Sequence, residues 1–109
     1  MHAPATSRIP VELLLRAYRS GIFPMADHRS DAEVYWVEPR ERAIIPLDGL
    51  RLSKSFRKVL RQDRFRVTCD ADFAATIAAC AEPRRERPDE ESGTWISHAI
   101  EASYNALHR

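Results

Sequence analysis

Residues 51–66 read RLSKSFRKVLRQDRFR and join a helical pattern to an alternating one, so they decide much of the fold. Ser53 is a plausible N-cap for a helix over residues 54–62. At about 100° per residue, the apolar residues share one face: Leu52, Phe56, Val59 and Leu60. The cations share the opposite face: Lys54, Arg57, Lys58 and Arg61. After this helix, alternation of apolar and polar residues predicts a strand over residues 65–69.

The same stretch carries seven basic residues against a single acid, Asp63, although the formal net charge of the chain is only +1. Several positive charges lie within about one Debye length of one another, an arrangement that suits a phosphodiester backbone. The alternative is an ordinary solvated helix face, which is usually charged. The residues alone leave both interpretations open.

The N-terminal third predicts a helix followed by a hairpin. Pro10 begins and Gly21 ends a helix with an apolar stripe: Val11, Leu14, Leu15 and Tyr18. An apolar, extended exit fixed by proline follows over residues 21–25. Residues 34–37 and 43–46 predict two strands that pair as a hairpin, and residues 47–49 predict a turn.

Two further helices are predicted in the C-terminal third. Asp70 is the expected cap of the first, whose apolar side contains four residues: Phe73, Ile77, Cys80 and Ala81. Ser97 is the expected cap of the second, which has its own stripe: Ile96, Ile100, Tyr104 and Leu107. The charges of the loop at 82–92 nearly cancel, so we assign it no binding role.

The predicted strand at 65–69 has no obvious parallel neighbour, and an unpaired strand exposes backbone groups that need partners. We therefore expect a truncated domain or one that a partner completes, although the 34–46 hairpin is a possible neighbour. The fold class expected from these elements is α+β.

Composition excludes several classes. The 109 residues suffice for one domain or parts of two, and no apolar run reaches the length of a membrane span. The N-terminus lacks the apolar region of a secretion signal, so a cytoplasmic protein is expected. Cys69 and Cys80 are expected to be small buried residues, and the histidines show no ligand spacing, so no metal site is predicted. Phosphate-binding glycine loops and nucleophile motifs are absent from the sequence.

Three aromatic residues, Trp36, Trp95 and Tyr104, are the second candidate binding feature. Each could stack on a nucleobase, as aromatic side chains do in single-strand binders. The alternative, which the residues favour, is that they anchor the core beside a strand and at a helix start.

A series of six motifs covers nearly all of residues 10–108. In chain order they are LLLRAYRSGIFPM, YW with a following proline-arginine turn, LSKSFRKVLR, FRVTCDADF, AACA, and GTWI with a later YxxLH. This series resembles the leucyl/phenylalanyl-tRNA–protein transferases. Met25 is a departure, because some relatives carry tryptophan after GIFP.

The resemblance implies an aminoacyltransferase that moves leucine or phenylalanine from aminoacyl-tRNA to the N-terminal Arg or Lys of acceptor proteins, which marks them for degradation. No metal or diffusible cofactor is implied, because the ester of the charged tRNA is already activated. The chemistry is chiefly proximity and orientation, with proton removal and oxyanion stabilisation. A cytoplasmic protein that is monomeric in its full-length form and has no membrane partner is expected.

The resemblance also implies an architecture and site residues. Residues 1–50 would form a small N-terminal α/β domain with the hairpin, and residues 51–109 the opening β-α-α part of an incomplete acetyltransferase-like (GNAT) domain. The tRNA-binding residues fall on the helix at 54–62: Lys54, Arg57, Lys58 and Arg61. The contacts to the aminoacyl-adenosine fall on Met25, Trp95 and Tyr104.

Family members continue past the YxxLH helix into the part that holds the amino-acid pocket and the proposed catalytic residues. We therefore expect no catalytic residue in these 109 residues, and no transferase activity from them alone. Two alternatives stay open: a non-catalytic tRNA-binding, RNA-binding or adaptor protein derived from the same family, and a domain whose basic helix meets only water.

Overall fold

The computed structural model of the protein describes residues 8–83 and 93–109. In this part the elements are α1 (Val11–Arg19), β1 (Phe23–Met25), β2 (Tyr35–Val37), α2 (Lys54–Arg61), α3 (Phe73–Cys80) and α4 (His98–His108). The α+β class is confirmed. Most of the charged loop at 82–92 and the first seven residues, used above to argue against secretion, lie outside the described residues.

The described residues divide into two compact units. The first, unit 1, comprises Met1–Pro39 and Asp72–Arg109 and contains α1, both strands, α3 and α4. The second, unit 2, is Arg40–Ala71 and contains α2. The division of the sequence into domains 1–50 and 51–109 stays a prediction.

Helix α1 ends in a Schellman motif that turns the chain into β1. Gly21 has a φ of 77°, which glycine adopts without steric cost, and donates its N–H to the carbonyl of Tyr18 at 3.0 Å. Ile22 donates to the carbonyl of Ala17 at 2.8 Å. The predicted end of α1 at this glycine is confirmed. Leu14 is the stripe residue that is fully buried.

The strands differ from the predicted hairpin. β1 pairs antiparallel with β2, and Phe23, Pro24 and Met25 lie opposite Val37, Trp36 and Tyr35. The partner of the YW strand is therefore the exit at 23–25, which was interpreted only as extended. The predicted pairing with residues 43–46 is wrong: these residues form no strand, and Ile44 and Ile45 are 77% and 70% exposed.

The predicted strand at 65–69 is also wrong, because these residues have no strand pairing among the described residues. Phe65 and Val67 are 75% and 89% exposed. Alternation alone does not make a strand, because its backbone needs a neighbouring strand as hydrogen-bond partner. The predicted turn at 47–49 is present, with the Gly49 N–H donating to the carbonyl of Pro46 at 3.0 Å.

The core of unit 1 lies between α3, α4 and the end of β1. Its buried residues are Ala26, Ile77, Ala81, Ile96 and Ile100, and three half-buried residues pack against them: Val34, Phe73 and Tyr104. Three residues of the predicted α4 stripe, Ile96, Ile100 and Tyr104, thus belong to or pack against the core, and the fourth, Leu107, is half-buried. The cap of α4 is confirmed, because the Ser97 hydroxyl accepts a hydrogen bond from the Ile100 N–H at 3.2 Å.

Two predictions about residues 69–80 are corrected. Asp70 does not cap α3: the residue before the helix is Asp72, which makes no side-chain cap bond, and Asp70 has a left-handed φ of 58°. Cys69 and Cys80 are exposed free thiols rather than buried residues. Cys80 is the last residue of α3, and Cys69 lies in the segment that has no strand pairing.

Candidate nucleic-acid interface

The four cations of α2 form one continuous surface, which we call the basic face: Lys54, Arg57, Lys58 and Arg61. The helix forms where predicted, and the Ser53 hydroxyl accepts a hydrogen bond from the Phe56 N–H at 3.1 Å. The side chains of the basic face fall within an arc of about 100° and span about 10 Å along the helix axis.

All four side chains of the basic face are exposed. Within residues 8–83 and 93–109, none of the four forms an ion pair with a described carboxylate. The first turn of α2 contains no acidic residue. Unpaired exposed cations keep their charge available to a phosphate, whereas a carboxylate partner would have to be displaced first.

The opposite face of α2 is not buried in unit 2. Phe56 and Leu60 are 48% and 52% exposed, and Leu47 and Leu50 are also exposed. Large apolar side chains this exposed and this close in sequence are typical of a surface that other polypeptide covers.

In unit 1, the three predicted adenosine contacts lie around one group of core residues. The Ala26 N–H, next to Met25, donates to the carbonyl of Trp95 at 3.0 Å. Ala26 and Ile96 belong to the same core cluster, and Tyr104 packs against it. The structure therefore brings Met25, Trp95 and Tyr104 to the edges of one cluster, although they are far apart in sequence.

Trp36 lies on the other face of the two-stranded sheet from Met25. Side chains directly opposite in an antiparallel pair share a face and alternate along each strand, so Met25 shares a face with Tyr35 while Trp36 shares the other with Pro24. Trp36 lines an open groove of about 340 Å³ beside α1. Trp36 and Trp95 are both 41% exposed, so the interpretation of these two as core anchors is wrong, while Tyr104 is half-buried.

The segment that carries Trp95 is held by several hydrogen bonds. The Ile96 N–H donates to the Thr94 hydroxyl at 3.0 Å, and the Ile96 carbonyl accepts from the Arg29 guanidinium at 3.1 Å. The His98 N–H donates to the Arg29 carbonyl at 3.0 Å. The Trp95 indole is thus half-exposed on a backbone whose neighbouring polar groups are satisfied.

Tyr104 is joined to α1 through Tyr18. Their hydroxyls share a hydrogen bond of 2.5 Å, and the rings meet edge to face with centroids 6.0 Å apart. Desolvation, followed by the hydrogen bond to Tyr18, raises the pKa of Tyr104 well above its ordinary 10.0. Desolvation, with a further contribution from the Asp27 carboxylate, also raises the pKa of Tyr35. Both hydroxyls therefore stay neutral at physiological pH.

Sequence reasoning missed Tyr18 and Arg29 as members of the site. Tyr18 was assigned to an apolar stripe, whereas its side chain is 47% exposed and bonds to Tyr104. Arg29 lies in the polar loop between the strands, where no periodicity indicates a contact with residues near 96.

No group of three or more His, Cys, Asp or Glu side chains in the described ranges could hold a metal ion. Likewise, no helix in these ranges is long and apolar enough to cross a membrane.

Two sequence models of one family match the chain in succession. The model described as "Leucyl/phenylalanyl-tRNA protein transferase" matches residues 44–109, and the model of the N-terminal domain of that transferase matches residues 7–40. The class that these matches define is the aminoacyltransferases. The chain belongs to the leucyl/phenylalanyl-tRNA protein transferase family.

Curated relatives agree, and each is named leucyl/phenylalanyl-tRNA–protein transferase. The chain is 58% identical to the protein of Novosphingobium aromaticivorans over 100 residues, which are 92% of this chain and 36% of the relative. The protein of Rhizorhabdus wittichii is 54% identical, over 93% of this chain and 39% of the relative. The protein of Zymomonas mobilis is 52% identical, over 94% of this chain and 37% of the relative. The chain therefore spans less than half the length of these relatives. No solved structure matches it significantly.

Proposed function

We propose that the chain serves the transfer of leucine or phenylalanine from aminoacyl-tRNA to acceptor proteins that begin with Arg or Lys. The observation that carries this proposal is the succession of two matches from the same family along residues 7–40 and 44–109. We place the reaction in the cytoplasm, where charged tRNA is available, and expect no metal or diffusible cofactor and a monomeric full-length protein.

Within that reaction, the proposed role of this chain is to bind the tRNA. The basic face of α2 would meet backbone phosphates, because its cations are exposed and lack described carboxylate partners. Met25, Trp95 and Tyr104 would meet the aminoacyl-adenosine. Trp95 offers a half-exposed indole for stacking, and Met25 offers a softer apolar contact.

The division into a small N-terminal α/β domain over residues 1–50 and the opening part of an acetyltransferase-like domain over residues 51–109 is part of the same proposal. Its support is the number of exposed apolar side chains in Arg40–Ala71, Phe65 and Val67 among them, because such a surface is typical of a domain that further polypeptide covers. We propose that the reaction centre is not within these 109 residues.

Two assays on the same preparation test this. Nitrocellulose retention measures tRNA binding, and release of labelled leucine from leucyl-tRNA onto an Arg-initiated peptide measures transfer. The expected result is binding without turnover. Turnover would overturn the claim that the reaction centre is elsewhere, and loss of binding even at low salt would overturn the proposed role of the basic face.

A second candidate is a non-catalytic tRNA-binding, RNA-binding or adaptor protein. The basic face, which has no carboxylate partner among residues 8–83 and 93–109, favours it, because binding there requires no reaction centre. The adaptor form of this candidate is tested by adding the chain to a full-length relative that is active in the transfer assay. An adaptor leaves or raises the rate of transfer, whereas a chain that binds the same tRNA, with or without a transfer role, lowers it.

A further inference from the structure

The Trp95 indole is presented by a short segment between the core and α4. The Trp95 side chain is 41% exposed, whereas its neighbours Ile96 and Ser97 are buried. An exposed ring that is to stack on a base binds most strongly when its orientation is fixed beforehand, because little rotamer freedom is then lost on binding. What fixes the segment is therefore relevant to binding.

Arg29 makes one contact with this segment and two with the first turn of α4, which directly follows it. Its guanidinium donates to the Ile96 carbonyl at 3.1 Å and also forms an ion pair with the Glu101 carboxylate. Its own carbonyl accepts from the His98 N–H at 3.0 Å. The planar fork of arginine allows one side chain to bond a backbone carbonyl and a carboxylate at once, which a lysine could not reproduce.

The side chains of Arg29 and Glu101 are 33% and 20% exposed, so their ion pair is partly desolvated. It ties the loop after β1 to the first turn of α4, and Trp95 lies just before that turn. Ile96 and Ile100 also belong to the hydrophobic core cluster with Ala26, Ile77 and Ala81. Loss of the Arg29 side chain should therefore loosen the Trp95 segment while the core keeps α4 in place.

We propose that Arg29 is a positioning residue that holds Trp95 in the orientation needed to stack on a terminal adenosine. The part that concerns adenosine rests on the proposed function. The part that concerns the mobility of Trp95 does not, and the two are measured separately.

The first experiment needs no ligand. Trp36→Phe leaves Trp95 as the single tryptophan, and acrylamide quenching of its fluorescence then reports how accessible the indole is. Arg29→Met should raise the quenching constant by about twofold, because the partly exposed indole becomes more open to acrylamide when its segment loosens. Arg19→Met, an exposed arginine of α1, is the matched control and should change nothing.

Glu101→Gln is the second variant, because it removes the charge of the partner without changing its shape. It should raise the quenching constant in the same direction by a smaller factor. Circular dichroism at the measuring temperature shows that each variant is folded. Quenching equal to that of the parent in both Arg29→Met and Glu101→Gln would overturn the proposal.

The second experiment compares the dissociation constants for one uncharged tRNA with and without its 3′-terminal adenosine. In the parent, stacking predicts that removal of the adenosine weakens binding by roughly fivefold or more. In Arg29→Met the ratio of the two dissociation constants, shortened tRNA over intact tRNA, should fall toward one, while the dissociation constant for the shortened tRNA stays unchanged. A parent ratio of one overturns the proposed adenosine contact. A ratio that is high and equal in parent and variant overturns the positioning role alone.

Discussion

Removing two cations from the basic face gives the sharpest prediction about tRNA binding. Lys58 and Arg61 lie in the last turn of α2 and are exposed. Replacing both with glutamine changes the formal net charge of the chain from +1 to −1. The matched control is Arg16→Gln with Arg19→Gln, which removes two cations from the last turn of α1. Both variants lose a similar favourable interaction with the helix dipole, so stability changes are matched.

The magnitude follows from counterion release. If each of the four cations of the basic face neutralises one phosphate, the slope of log K against log salt is between about −2.8 and −3.6. The double variant should halve that slope. At about 0.1 M salt this corresponds to a loss of affinity of about 25- to 60-fold, while the control variant should lose little.

The assay is retention of labelled tRNA on nitrocellulose at salt concentrations from about 50 to 200 mM, the range over which electrostatic binding changes steeply. Equal slopes for the parent and the Lys58/Arg61 variant would refute the reasoning, because the basic face would then contribute no phosphate contact. An equal loss in the Arg16/Arg19 control would also refute it, since the effect would follow net charge rather than position.

Three further predictions concern unit 1 and the thiols. Ser103→Ala should lower the free energy of unfolding by about 1–3 kcal/mol, because the buried Ser103 hydroxyl accepts a hydrogen bond from the Ile9 N–H at 2.8 Å. Urea unfolding measures this change, and a variant as stable as the parent would contradict the prediction. The raised pKa of Tyr104 means that the unfolded chain loses this proton first, so stability is intact below the ordinary 10.0 and falls as pH rises above it. Thermal unfolding across pH 9–11 should show that fall, and Tyr104→Phe should reduce it. Cys69 and Cys80 should react with an aromatic disulfide reagent as fast in native protein as in urea, and strong protection of either would contradict its exposure.

The helices could be predicted because their signals are local. Ser53 and Ser97 cap α2 and α4 as the sequence indicates, since a cap needs only the residue itself and an N–H three residues on. Gly21 ends the first helix for the same reason. Each of these interactions is complete within one turn of chain.

The strands could not be predicted equally well, because pairing is non-local. Residues 43–46 and 65–69 have suitable composition, yet a strand exists only where a second chain segment supplies hydrogen bonds. The exit at 23–25 has a central proline and was interpreted only as extended, but it pairs with Tyr35–Val37. Composition indicated which segments could form strands, but it did not indicate which segments would pair with each other.

The residues of the candidate site also differ in how far the sequence could predict them. The four cations of the basic face could be found from helical periodicity, and their exposure agrees with the outward face assigned to them. Met25, Trp95 and Tyr104 came from the resemblance, and their roles stay predictions. Arg29 could not be found, because its contacts join a loop to a segment 67 residues away in sequence.

The affinity of the 109-residue chain for one uncharged tRNA, measured with and without its 3′-terminal adenosine, tests most directly that the chain holds the acceptor end of tRNA. We expect removal of the adenosine to weaken binding by roughly fivefold or more, and Trp95→Ala to abolish that difference. Equal affinity of the parent chain for both tRNAs would contradict the contact between this chain and the terminal adenosine.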